Sequence, residues 1–169
     1  MRRLRLLVSG VLLSACGDLQ FDDTSTDPTT SPPGSTTTNG TVAASISGEQ
    51  FFGRVAAAAT VIEDRLEFSA SDGSRQLALA FGAPGPGTFD AGGPYNPVVS
   101  LTETSGNETR RWVSSTAAGS GSVTLNFLTS YKAVGYFAFA LFPDSATVAA
   151  GVTTRRSVTA GNFDINVSR

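Results

Sequence analysis

Leu66, Phe68 and Ala70 alternate with Arg65, Glu67 and Ser69, and beyond Asp72-Gly73-Ser74 the apolar positions resume as Leu77, Leu79 and Phe81. Side chains two apart share one face of a strand, and Asp-Gly-Ser is turn chemistry. This stretch therefore reads as an antiparallel hairpin with one buried face. The pattern recurs downstream. Val123, Leu125 and Phe127 alternate with Thr124 and Asn126, a turn falls near Ser130-Tyr131-Lys132, and an almost unbroken apolar run follows from Val134 to Phe142. That run predicts a central strand covered on both faces. At the end of the chain Phe163, Ile165 and Val167 point one way while Asp164, Asn166 and Ser168 point to water. Weaker strands are expected over 42–47, 51–62, 97–104 and 110–115. The alanines of "VAAAATVIED", residues 55–64, favour helix, but Val55, Ala57, Ala59 and Val61 also line one strand face, and strand is the reading taken. About nine strands make an all-β fold, a single antiparallel β-sandwich, with a partly closed β-barrel as the alternative.

The first sixteen residues have another character. Arg2, Arg3 and Arg5 precede an apolar run from Leu6 to Leu13, which ends in Leu13-Ser14-Ala15-Cys16. The run is too short to span a bilayer and has the layout of an export signal. Cys16 is the only cysteine, so no intrachain disulfide can form. Residues 22–41, "DDTSTDPTTSPPGSTTTNGT", hold no apolar side chain, and their composition predicts a disordered linker. Such a linker reaches between about 25 Å as a flexible coil and about 60 Å as polyproline II. Asn39-Gly40 is a hairpin signal in other settings, discounted here for want of a strand before it. The chain is therefore parsed as a signal peptide over 1–15, a cysteine-led linker over 16–41 and a β-domain over 42–169.

Leu13, Ser14, Ala15 and Cys16 resemble the lipobox of bacterial lipoproteins. The resemblance implies cleavage before Cys16, a diacylglyceryl thioether on its sulfur and a fatty acyl group such as palmitate on its freed amine. Two or three chains make a durable anchor where one is marginal. It also implies export to the cell envelope, and Gly17 in place of an aspartate favours the outer membrane. The β-domain is similar to a lipoprotein domain family of unknown function. The likeness is carried in order by Ala44 to Phe51 (an "xVxGxxF"-like turn), Gly87-Thr88-Phe89, Ala133 to Phe139 and Val158 to Ile165. Tyr136 stands where that family has Thr, and Ala160 where it has Asn. The family carries no established catalytic residues to transfer.

The chemistry legible in the sequence is sparse. There is no histidine, which removes the usual ligands for zinc and the base of a serine hydrolase. No metal site or cofactor is expected, although Asp72-Gly73-Ser74 and Glu63-Asp64 have oxygens of the kind calcium takes. The formal charge of −2 becomes −5 without the three leading arginines, and no basic patch suits nucleic acid. Residues 82–97, "GAPGPGTFDAGGPYNP", form the most unusual segment and read as a rigid connection. Its Asp90 and Tyr95 are the candidate binding residues. Trp112 is expected to be half-buried packing, with Arg111 on the opposite face of its strand. The expected role is a membrane-anchored, non-catalytic envelope protein that binds another envelope protein or a glycan. The alternative is a hydrolase of envelope polysaccharide built on two carboxylates drawn from Glu63, Asp64, Glu67, Glu103 and Glu108.

Overall fold

The computed structural model describes residues 39–114 and 120–168. The strands are β1 (Gly40–Ile46), β2 (Glu49–Arg54), β3 (Ala59–Ile62), β4 (Arg65–Ser71), β5 (Arg75–Gly82) and β6 (Gly87–Asp90). They continue as β7 (Val98–Ser105), β8 (Glu108–Ser114), β9 (Gly121–Leu128), β10 (Lys132–Pro143) and β11 (Arg156–Ser168). One short helix, α1 (Ser145–Ala149), lies between β10 and β11. Eight strands close into an antiparallel barrel. Tracing the pairings, the ring runs β1-β2-β4-β5-β7-β8-β10-β11 and returns to β1. β3 fits between β4 and the end of β11, and β9 with β6 extends from β10.

The sandwich expectation is therefore corrected: all the strands belong to one sheet, and that sheet closes. The reason lies in pairings distant in sequence. β1 pairs with β11 from Gly40↔Ile165 to Ile46↔Val158, so the first described strand meets the last. β10 and β11, the longest strands, each hydrogen-bond different partners at their two ends. Eight strands enclose an interior that side chains can fill. It is filled by Phe51, Leu66, Leu77, Phe81, Leu101, Trp112, Leu125, Leu141, Phe163 and Ile165, each almost inaccessible to water.

Several expectations hold. Residues 65–82 form the β4–β5 hairpin in the expected register, with Leu66↔Phe81 and Phe68↔Leu79. Residues 121–143 form the β9–β10 hairpin and β11 alternates as read, but Phe127 is exposed rather than inward with Val123 and Leu125, because the β9 register shifts by one residue between Leu125 and Phe127. Others are corrected. Residues 51–62 are two strands, interrupted at 55–58. β10 is not covered on both faces: Tyr136, Ala138 and Ala140 are exposed, because the barrel has no second layer outside it. Trp112 is fully buried rather than half-buried, since its strand position faces the barrel interior. β1 starts two residues before the expected boundary at 42. Gly40 initiates it, in a left-handed conformation (φ 133°) where a side chain would collide with the Asp164 carbonyl.

The outer face is polar where lipid-spanning barrels are apolar: Arg65, Glu67, Ser69 and Ser71 project outward from β4. No helix among the described residues is long and apolar enough to cross a membrane.

The seam between β2 and β4 is thin, a single pairing of Arg54 with Ser71. Arg75 reinforces it. Its guanidinium donates to Asp72 Oδ2 (2.8 Å) and to the Gln50 carbonyl on β2 (2.7 Å), and lies 5.6 Å from the Phe51 ring centre. Asp72 Oδ1 also accepts from the backbone N–H of Ser74 and Arg75. Partial burial alone would raise the Asp72 pKa, but these hydrogen bonds and the Arg75 charge outweigh it and hold the carboxyl below its ordinary value of 3.8. A carboxyl lowered in the fold stabilises above its unfolded pKa, and that contribution is lost as pH falls through the folded value. Asp72→Asn should therefore cost about 2 kcal/mol at pH 7. The gap to wild type should shrink below about pH 4. Urea titrations from pH 7 to pH 2.5 test this, and a gap independent of pH would refute it.

Candidate functional site

The segment 82–97 is not one loop. It contains β6, which pairs with β9 from Gly87↔Leu125 to Asp90↔Ser122. Tyr95 folds back against the core. Its ring meets Phe89 edge-on at 5.4 Å, and its carbonyl accepts from the Gly82 N–H. It remains 45% exposed. Asp90 is exposed on the outer face of β6, and its carbonyl accepts from Gly93. Tyr95 thus plugs the space between β5 and β6 while Asp90 projects from the outer wall. The two candidates are not assembled into one binding loop.

Leu13, Ser14, Ala15 and Cys16 lie outside the described residues. Of the carboxylates considered for hydrolysis, Glu63 and Glu67 line one small concavity with Arg65 between them in sequence, while Glu103 and Glu108 lie elsewhere. Glu67 pairs with Arg65, Glu108 with Arg110 and Glu103 with Arg156, while Glu63 and Asp64 form the β3–β4 turn. The oxygens of Asp72 are engaged by its own turn and by Arg75. Trp112 faces the interior, where it offers no stacking surface.

Among the described residues the outer concavities include a small one of about 260 Å³, lined by Ile62, Glu63, Arg65 and Glu67, and three larger ones. One, about 550 Å³, sits at the barrel end bearing the β1–β2, β4–β5 and β7–β8 turns, and is crossed by the Arg75 and Arg156 ion pairs. A second, about 460 Å³, runs over Ser69, Ala78, Ala80 and Ser100, with Glu67 and Arg111 among its lining. The third, about 470 Å³, lies across β9, β10 and β11 and is lined by Ser122, Thr124, Tyr136, Ala138, Ala160 and Asn162. This third groove is the only one of the three with an exposed aromatic ring in its lining: Tyr136 is 55% exposed.

Local sequence explains the groove. β11 carries one extra residue relative to both neighbours. Between Phe137↔Gly161 and Phe139↔Val158, one residue of β10 faces two of β11, and the β1 register shifts at the same place. Ala160 takes a left-handed φ of 49° there, which bends the strand. The floor is made of alanine and glycine, so nothing fills the dip. A register row then crosses it, Asn162↔Tyr136↔Thr124↔Thr88, presenting an amide, a phenol and two hydroxyls on adjacent strands. The Thr88 and Thr124 hydroxyls are hydrogen-bonded to each other at 3.0 Å. Sequence reasoning passed over Tyr136 because it took the run as covered on both faces. Its signal was the alternation Tyr136, Ala138, Ala140 against Phe137, Phe139, Leu141. Set against known family models, curated proteins and solved structures, the chain matches none of them.

Proposed function

We propose that this chain is a lipid-anchored envelope protein whose barrel binds a neutral glycan in the β9–β10–β11 groove. The anchor reading rests on Leu13 to Cys16 and the basic, apolar stretch before them. The binding reading rests on one observation: an exposed phenol ring standing over a small-residue floor, with Asn162 and Thr124 beside it in register. A sugar offers apolar C–H faces to an aromatic ring and pairs of hydroxyls to an amide. The row carries no charged side chain, which suits a neutral ligand over an ionic one. The ion pairing of Glu67, Glu103 and Glu108 favours binding over carboxylate-based hydrolysis.

The test is binding of the purified full chain to a panel of oligosaccharides released from bacterial envelope glycans. Tyr136→Ser and Asn162→Ala should each weaken binding, Tyr136→Ser by about tenfold or more. Val148→Ser should leave it unchanged. Val148 is 45% exposed on α1 and is not part of the groove lining. Binding lost equally in all three variants, or absent for every glycan while a single envelope protein is captured, would overturn the reading.

A further inference from the structure

We infer that one end of the barrel docks on a lipid surface, the end at which the described chain begins. The inference rests on the anchor reading above and adds an orientation to it.

That end is defined by register. It holds Asn39 and the start of β1, the β3–β4 turn at Glu63-Asp64, the β9–β10 turn at 129–131 and the end of β11. Hydrogen bonds tie these together: the Asn39 N–H donates to the Val55 carbonyl, Asn166 N–H to Asn39, and Val167 N–H to Tyr131. Large exposed apolar side chains gather around it. Ile62 (65% exposed) ends β3, Tyr131 (66%) tips the β9–β10 turn, and Phe127 (45%) lies four residues before it, near the end of β9. Tyr95 flanks the same end beside Gly82. At the opposite end, among the described residues, Val148 on α1 is the one such side chain.

A scattered exposed apolar residue needs no explanation. A ring of them at one end does. The occupant is a bilayer surface for two reasons. First, Asn39 lies at this end, and covalent geometry alone keeps it within about 80 Å of Cys16 and so of any membrane holding Cys16. Linkage through so short a stretch of chain gives an effective concentration on the order of millimolar, so feeble surface affinity suffices. Second, the chemistry suits an interface. Tyr131 and Tyr95 have apolar rings with a polar tip, and Arg65 and Lys132, which begin β4 and β10, have long apolar stems beneath a charge. The charge balance selects the headgroup. Arg54, Arg65 and Lys132 are offset by Glu63, Asp64, the Arg65 partner Glu67 and the Lys132 partner Asp164. A zwitterionic surface such as phosphatidylethanolamine fits this better than an anionic one.

The experiment couples the full chain through its single thiol, Cys16, to a maleimide lipid in phosphatidylethanolamine/phosphatidylcholine vesicles. Hydrogen exchange is then compared with the uncoupled chain. Exchange over 61–65 and 129–132 should slow by about twofold or more when at least half the molecules are docked, with 106–107 and 145–151 unchanged. The double variant Ile62→Asp, Tyr131→Ser, altered only at exposed positions, should lose that protection. Equal exchange with and without vesicles, or protection at 145–151 instead, would overturn the inference. Labelled palmitate incorporation at Cys16 in cells is scored separately. Its absence would defeat the anchor reading while the coupled chain still reports on the surface.

Discussion

Trp112→Ala should cost about 4 kcal/mol, a large part of the total of about 5–15 kcal/mol for a domain of this size. Trp112 is the only tryptophan and is wholly buried. It stands on β8 opposite Leu101 of β7 and Pro143 of β10, so three strands of the closed ring lose packing together. Its indole N–H donates to the Thr154 carbonyl at 2.9 Å, tying the segment between α1 and β11 to the barrel. The Arg156 guanidinium lies 4.7 Å above the ring, and one of its nitrogens pairs with Glu103 at 3.0 Å. Arg156 Nε is buried without a hydrogen-bond partner, which leaves the ring face as its compensation. Truncation therefore opens a cavity, frees a carbonyl and removes the ring face that covers the buried Nε of the half-buried Arg156. Trp112→Phe keeps most of the volume and should lose about 1–2 kcal/mol, the hydrogen bond and part of the cation contact. Urea unfolding followed by far-UV circular dichroism, since both variants remove the fluorophore, would decide. A loss under about 1 kcal/mol for the alanine variant would contradict the cavity argument.

Gly135→Val should cost about 3 kcal/mol or more and should broaden or abolish cooperative unfolding. Gly135 pairs with Phe163 across β10–β11, and Phe137 pairs with Gly161 two residues on. The two phenyl rings are 6.4 Å apart and stacked, each lying over the glycine of the opposite strand. A Cβ at Gly135 would meet the Thr124 carbonyl and would lie 2.5 Å from Phe163 Cζ. The first neighbour is backbone of the paired strand β9 and cannot rotate aside. This reciprocal Gly–Phe arrangement is how a narrow barrel accommodates large rings. Gly85→Ala is the control, with open space around it. It should be neutral or stabilising by about 0.4–1 kcal/mol, by restricting the unfolded chain. Equal effects of the two substitutions would mean that the glycines of β10 and β11 are not there for the rings.

The likeness of these elements in the sequence was uneven, and the reason is the range of each interaction. The β4–β5 and β9–β10 hairpins were legible because alternation and turn chemistry are local: Leu66 to Phe81 carries both within one stretch. The break at 55–58 was not legible, because its alanines suit either state and only the pairing of β3 with β11 places the strand beyond it. Tyr136 was missed for a similar reason. An apolar run is equally consistent with a strand buried on both faces, and only the absence of a second layer outside the barrel exposes that ring. Asp90 and Tyr95 were picked from an unusual segment, yet β6 pairing with β9 sends them to different places.

What the sequence alone determined is the all-β class, the hairpins and the inward set of Leu66, Phe68, Leu77, Leu79, Phe81, Phe163 and Ile165. Period-two patterning acts between near neighbours and survives without knowledge of the whole. Tertiary structure alone decided that the sheet closes, that Trp112 lies inside, and that a groove opens beside Tyr136. Closure depends on β1 meeting β11 across nearly the full described chain, and on Arg75 bridging a seam of one strand pair. Such pairings cost loop entropy and are selected by the total packing of the interior, which no short window of sequence contains.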